Sequence, residues 1–239
     1  MKMRLKFEKT GIVKYIGHLD LMRFFQKAFR RTSIDISFTE GFNPHQIMSF
    51  AMPLGVGVES VGEYMDFSVN SPIDIKKSMD ELNAVMCEGI MVTGIYPLID
   101  NAKKAMSIIA LADYIIKFDD EIIRNIDENT WDTLNDKFYK NALEISILKK
   151  TKKSEKIVDI KPMIKKFRAY TENDEKLLFL SLDTGSENNL NPRLVVEALY
   201  HYLNIEYNDF GYHIKRTELY AKKDNNYLTL GEYECSATL

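Results

Sequence analysis

The first hundred residues switch between two hydrophobic periods, and the order of the switches leaves few folds open. Residues 3–7 put Met3, Leu5 and Phe7 on one side and Arg4 and Lys6 on the other, the period of two of a half-buried strand. Residues 18–31 change to a helical period, with Leu21, Phe25, Ala28 and Phe29 at i, i+4, i+7 and i+8. Residues 34–38 alternate again, and residues 63–69 do so after a stretch rich in glycine and proline. Ser71 and Pro72 read as an N-cap and a first-turn proline, with Asp74 at the capping-box place. Ile75, Met79, Leu82 and Met86 then recur at helical spacing up to Gly89, and residues 90–96 read as a strand. Strand-helix-strand-strand-helix-strand is the order of a ferredoxin-like unit.

The second half repeats the order without repeating the sequence. Residues 114–118 read as a strand, 129–142 as a helix, and 143–148 and 177–182 as strands, with further extended pieces near Ile157 and Phe167. Asn191 and Pro192 open a helix carrying Val195, Leu199 and Leu203 on one face, and residues 213–220 close as a strand. The expectation is an α+β chain of tandem ferredoxin-like units with antiparallel sheets. The first spans 1–100 with the Gly/Pro-rich loop and the second 105–239 with a basic hairpin, the join falling near 98–110. A chain of 239 residues is long enough for two such domains.

Composition narrows the function classes. A hydrophobic content of 45% with 28% charged residues predicts a packed core. The formal net charge of −3 argues against coating nucleic acid through bulk charge, while leaving room for a local basic patch. Cys87 and Cys235 are far apart and outside any C-x-x-C run, so no disulfide framework, zinc ribbon or self-held iron–sulfur cluster is expected. The opening residues lack a signal-peptide core, and the most apolar stretch, 106–116, is too short to span a bilayer. A cytoplasmic protein with no membrane partner is the expectation.

Five groups of residues could carry function. Opposite the apolar stripe of the first helix lie Arg23, Lys27, Arg30 and Arg31, a face that like-charge repulsion disfavours unless an anion answers it; a solvated surface is the alternative. The segment from Gly41, Phe42, Asn43, Pro44 and His45 to Ser49 and Phe50 combines permissive glycines with a forced turn, suiting either a ligand-binding loop or a structural crossover. His18 and Asp20 open the first helix, where free amides attract anions. They could form an acid–base set with His45 at a phosphodiester, or Asp20 could cap the helix and pair with Arg23. Lys149, Lys150, Lys152 and Lys153 mark a hairpin tip able to touch phosphates. Gly185 to Pro192 is a polar loop into a helix start, an anion cradle or an ordinary cap. No nucleotide-binding glycine motif and no metal-ligand spacing is present, so no cofactor or metal is expected.

Several of these motifs together resemble a known family. Gly17, His18, Leu19, Asp20, Leu21, Met22 and Arg23, followed by Arg30 and Arg31 and then by Glu40, Gly41, Phe42, Asn43, Pro44 and His45, are similar to the radical SAM-linked proteins, a domain of unknown function (DUF2344). Further matches run from Pro53 to Ser60, from Gly62 to Asp66, and over Lys150, Thr151, Lys152 and Lys153 with Val158 to Pro162. Gln46 departs from the family, which often has a second proline there. The resemblance implies an accessory protein acting with a radical SAM partner, near RNA processing and ribosome components. The leading expectation is therefore an accessory RNA-binding or substrate-presenting protein for tRNA or rRNA modification or processing, more plausibly without activity alone. Two rivals remain: a metal-independent RNA-processing or RNA-modifying enzyme using His18 and His45, and a protein-only scaffold.

Overall fold

The computed structural model describes residues 1–150 and 155–236, excepting the side chains at 149, 150 and 155. In chain order the elements begin with β1 (Lys2–Lys9), α1 (His18–Phe29), β2 (Met48–Phe50), β3 (Glu59–Ser68), α2 (Ile75–Val85), β4 (Ile90–Pro97) and α3 (Ala105–Ile108). There follow β5 (Ile109–Phe118), α4 (Glu121–Arg124), α5 (Glu128–Leu134), β6 (Ser146–Lys150), β7 (Glu155–Asp159), β8 (Ile164–Glu172) and β9 (Glu175–Asp183). The last are α6 (Pro192–Tyr202), β10 (Tyr212–Lys223) and β11 (Asn226–Thr229). The protein mixes α and β, with mostly antiparallel strand pairing and few helices. No helix among the described residues is long and apolar enough to cross a membrane.

Two compact units share the chain. One is Met1–Ala110 with Arg216–Leu239, the other Leu111–Lys215. The sequence placed everything after residue 105 in the second unit, whereas the final stretch belongs with the first. Most of β10 and all of β11 therefore lie in the first unit.

In the first unit the strands run β4-β1-β3-β2, with β11 beside β10 and β10 beside β3. The alternation of β1 is realised. Met3, Leu5 and Phe7 are buried in one apolar cluster with Met65, Phe67 and Val92, facing Leu21, Phe25 and Phe29 of α1. Each such side chain contributes about 1.5–3 kcal/mol on burial, while Arg23 and Lys27 stay exposed on the opposite side of α1. The Phe7 ring meets Phe25 at 4.9 Å and Phe50 at 5.9 Å, both edge-on.

Two local expectations are corrected. The alternation at 34–38 forms only isolated bridges, Ile36 to Val69 and Phe38 to Gln46, and the regular strand comes later as β2. The second helix starts at Ile75 with Asp74 as its N-cap, accepting from the Lys77 amide at 3.0 Å, so Ser71 and Pro72 precede the helix.

The second unit orders β5-β9-β8 antiparallel, with β6 and β7 as a separate hairpin. The amides of Asp119 and Asp120, just after β5, both donate to the Gly211 carbonyl just before β10. Trp131 on α5 is fully buried, donates to the Tyr170 carbonyl at 3.0 Å and meets Phe118 edge-on. The helix expected over 129–142 is regular only to Leu134 and continues to Lys140 in wider turns. At that change the Asn135 amide turns to the edge strand β8, donating to the Ala169 carbonyl at 2.9 Å and accepting its amide at 2.8 Å. The α6 start is as read: Asn191 caps the Arg193 amide at 3.0 Å and Pro192 follows.

Candidate functional site

The cations of α1 are the first component. Arg23, Lys27, Arg30 and Arg31 are all exposed. Asp20 answers Arg23 at 3.3 Å in a solvent-facing ion pair, while Gly17 occupies the N-cap without a side-chain cap bond. Among the described residues, Lys27, Arg30 and Arg31 have no carboxylate within ion-pairing distance. Arg30 and Arg31 gain from the negative end of the helix dipole; Lys27 gains less, and Arg23, one turn from the start, does not.

The second component is a loop tip. The Phe38 to Gln46 bridge closes residues 39–45, and the Thr39 amide donates to the His45 carbonyl at 2.8 Å. The His45 amide in turn donates to Thr39 Oγ1 at 3.0 Å. Gly41 sits at φ +110°, a conformation that side-chain-bearing residues rarely adopt. The tip presents Asn43, Pro44, His45 and a fully exposed Phe42 ring. Phe42 therefore plugs no core.

The histidines do not meet. The His18 ring lies edge-on to Phe50 at 5.3 Å, beside the last residue of β2. His45 stands before β2 begins, and the five residues from it to Phe50 span roughly 16 Å of extended chain. Asp20 pairs with Arg23, not with either imidazole. No acid–base set forms from His18, Asp20 and His45.

A third component lies next to the tip, on the sheet face opposite the aromatic core. Thr39, Gln46, Ser49, Asp66 and Lys2 line a cavity of about 250 Å³, with Lys103 and Lys104 at its wall. The Ser49 hydroxyl faces Met106 Sδ at 3.8 Å. The Asp66 carboxylate is held by Arg4, Nε at 2.7 Å and Nη2 at 3.2 Å, and by the Ala105 amide at 2.7 Å. Arg4 is fully buried, so the acid in this cavity is already neutralised.

Several motif residues serve the interior instead. Glu63 takes three hydrogen bonds from Arg216, at 2.9, 2.6 and 2.7 Å, and both side chains are buried. Lys9 is buried too and donates to the Ile16 carbonyl at 2.7 Å. Burial pushes its ammonium below the usual lysine range, Glu63 acting against that shift and Arg216 with it. A Cβ on Gly62 would stand 2.5 Å from the Thr217 carbonyl oxygen, so only glycine allows β10 to run so close. Sequence reasoning missed these pairs because the partners are 62 and 153 residues apart. Charges at Arg4 and Glu63, placed between apolar neighbours on strands, were the available signal.

In the second unit, Lys152 and Lys153 of the basic hairpin lie outside the described residues, as does the Lys150 side chain; the hairpin itself pairs from Ser146 with Asp159 to Lys150 with Glu155. A basic surface that the sequence reading overlooked lies along β8. Lys140, Lys166 and Arg168 surround a concavity of about 650 Å³ that includes Phe167 and Phe179, and Arg168 stacks over Tyr170 at 4.5 Å.

The fold and these surfaces define a mixed α and β protein whose exposed features are cations, a presented aromatic ring and a small polar-floored cavity. A family model described as an uncharacterized protein conserved in bacteria, DUF2344, matches residues 2–192, and the chain belongs to that family. A comparison with curated proteins finds no match.

Proposed function

We propose that the chain is a cytoplasmic, tandem ferredoxin-like accessory protein that binds RNA and presents it, or a substrate on it, to a radical SAM partner. The element order of the first unit and its β4-β1-β3-β2 strand order support the ferredoxin-like reading there. In the second, β5, β8 and β9 with α5, α6 and the start of β10 follow the same order, with the β6–β7 hairpin inserted. The observations that carry the RNA reading are that Lys27, Arg30 and Arg31 of the first helix face are exposed without acidic partners among the described residues, and that the Phe42 ring is exposed. Phosphates answer the first and an unstacked base stacks on the second. The concavity around Lys140, Lys166 and Arg168 adds a second basic, aromatic surface. The radical SAM partner follows from the family resemblance, and the exposed Ile12, Tyr15, Leu19 and Val56 supply apolar area for a protein contact.

Sequencing the RNA retained by the protein after ultraviolet cross-linking in cells tests the reading. A defined tRNA or rRNA segment is expected with the natural chain, and the yield falls with Phe42→Ala combined with Arg30→Gln. Recovery of no RNA above that of an unrelated protein leaves the scaffold reading in its place.

A further inference from the structure

Strands β5, β9 and β8 of the second unit present two unlike faces. On one, Leu178, Leu180 and Leu182 of β9 are buried beside Phe118, which meets Trp131 of α5 at 5.4 Å and Tyr200 of α6 at 6.3 Å. The other face takes the alternate residues. Arg168 of β8 stands opposite Phe179 of β9, and Phe179 opposite Ile115 of β5, so the three share it, with Lys166 and Tyr170 two residues either side of Arg168. Lys166 and Arg168 are exposed and Phe179 is half-buried. Phe118, Trp131, Phe138 and Phe167 each meet another ring, whereas the Phe179 ring, on the middle strand of the three, meets none among the described residues. Charge on this face is uneven. Glu175 and Asp183, at the ends of β9, are taken by Lys117 and Lys165. Lys166 and Arg168 have no carboxylate within ion-pairing distance among the described residues, and Arg168 lies over the Tyr170 ring at 4.5 Å. The concavity of about 650 Å³ joins Phe179, Arg168 and Lys166 to Lys140 beyond the edge of β8.

We propose that this sheet face holds a single-stranded segment of RNA, with one base stacked on the Phe179 ring and the neighbouring phosphates on Lys166, Arg168 and, at the rim, Lys140. The chemistry discriminates among ligands. An acidic peptide answers the cations and offers nothing to the ring. A duplex keeps its base faces inside the stack and presents only phosphates. An unpaired strand supplies both, an aromatic platform for the base and cations for the backbone being the recurring solution. The spacing agrees. Lys166 and Arg168 are separated by roughly 7 Å along β8, so each meets a different phosphate. The contact with Tyr170 orders Arg168 in advance, which lowers the entropy lost when a phosphate arrives. Every base has a stacking face, so this surface reads little sequence. The inference rests on the RNA reading above for the identity of the sugar, and it deepens that reading by assigning a single-stranded segment to residues of the second unit alone.

Fluorescence anisotropy tests the face with three labelled probes: an RNA oligonucleotide of mixed sequence, the same strand annealed to its complement, and an oligoglutamate peptide. Each is titrated against the full natural chain and against Phe42→Ala with Arg30→Gln, which weakens the first-unit surface and leaves this face intact. That double variant is expected to retain single-strand binding, roughly tenfold or more tighter than its binding of the duplex or the peptide. Adding Phe179→Leu, which keeps an apolar side chain on the sheet, lowers the single-strand affinity about tenfold, and Phe179→Tyr in its place restores most of it, because stacking needs a ring. Adding instead Lys166→Gln with Arg168→Gln, both exposed, lowers affinity and reduces the steepness of the salt dependence by roughly 1.4. Natural-chain binding that is lost in Phe42→Ala with Arg30→Gln, or that neither Phe179→Leu nor the Lys166 and Arg168 pair changes, overturns this face and leaves the RNA reading standing. Duplex or peptide bound as tightly as the single strand overturns it by reducing the surface to charge alone. No RNA binding by the natural chain overturns both.

Discussion

Replacing Glu63 by alanine leaves Arg216 charged inside the first unit with three hydrogen bonds removed, and the cost follows from that geometry. Both partners are almost fully buried, with side-chain exposures of 3% and 4%, so water cannot replace the carboxylate. Arg216 keeps its bond to the Met52 carbonyl at 3.1 Å. Lys9 loses the one nearby charge that favours its ammonium, since burial and Arg216 both work against it. Breaking one side of such a pair costs about 3–5 kcal/mol. At a urea slope of about 2 kcal/mol per molar, the unfolding midpoint of the first unit falls by roughly 2 M. Urea titration followed by far-ultraviolet circular dichroism measures it. Glu63→Leu combined with Arg216→Met removes both charges, and its midpoint returns to within about 0.5 M of the natural chain, because an apolar pair of similar volume is often as stable as the ion pair. A midpoint shift below 0.5 M in Glu63→Ala, or a double variant whose loss equals the sum of the single ones, refutes the reasoning.

Two further outcomes follow from other parts of the molecule. Asn135→Ala unpairs the amide and carbonyl of Ala169 on the edge strand β8, which costs about 1–2 kcal/mol. The lone tryptophan, Trp131, lies one helical turn earlier and reads the loss by fluorescence; no change in its transition contradicts the pairing. Tyr64, Tyr200 and Tyr212 hold their phenolic protons well above the ordinary value of 10.0, burial being the main cause in each. The unfolded chain therefore releases these protons near pH 10 while the folded one keeps them. Stability is full below pH 10 and falls as pH rises beyond it. Phenolate absorbance should show these tyrosines ionising only with unfolding, and titration of all 13 tyrosines together near pH 10 contradicts this.

The parts of the fold legible in the sequence were those set by local periodicity. The stripe of Leu21, Phe25, Ala28 and Phe29, the alternation of β1 and the Asn191 cap all depend on neighbours within a few residues, and the structure has them as read. Elements decided by distant partners were not legible. Residues 34–38 alternate as a strand would, yet their backbone is only bridged, because the chain turns back at Gly41 and Pro44 and the ladder beside β3 is completed by β2. The helix after Glu128 widens where Asn135 serves β8, 34 residues away. The candidate site divides the same way. Exposed cations on α1 followed from helical geometry, whereas His18 and His45 were joined on the assumption that they face one end of the sheet, and the length of β2 separates them. Gln46 looked like a minor departure from a proline, and only its burial beside a cavity makes it conspicuous.

The salt dependence of RNA binding is the most direct test of the account. With Arg23, Lys27, Arg30 and Arg31 meeting phosphates, the logarithm of affinity for a single-stranded RNA falls with the logarithm of salt at a slope of about −0.7 per contact. Neutralising two of them in Arg23→Gln with Arg30→Gln reduces the steepness by roughly 1.4 and weakens binding to all sequences alike. Fluorescence anisotropy with a labelled tRNA fragment between 50 and 300 mM salt, about the range where counterion release is read most easily, supplies both slopes. A folded double variant with the natural affinity and the natural slope would contradict the assignment of α1 as the RNA-binding surface.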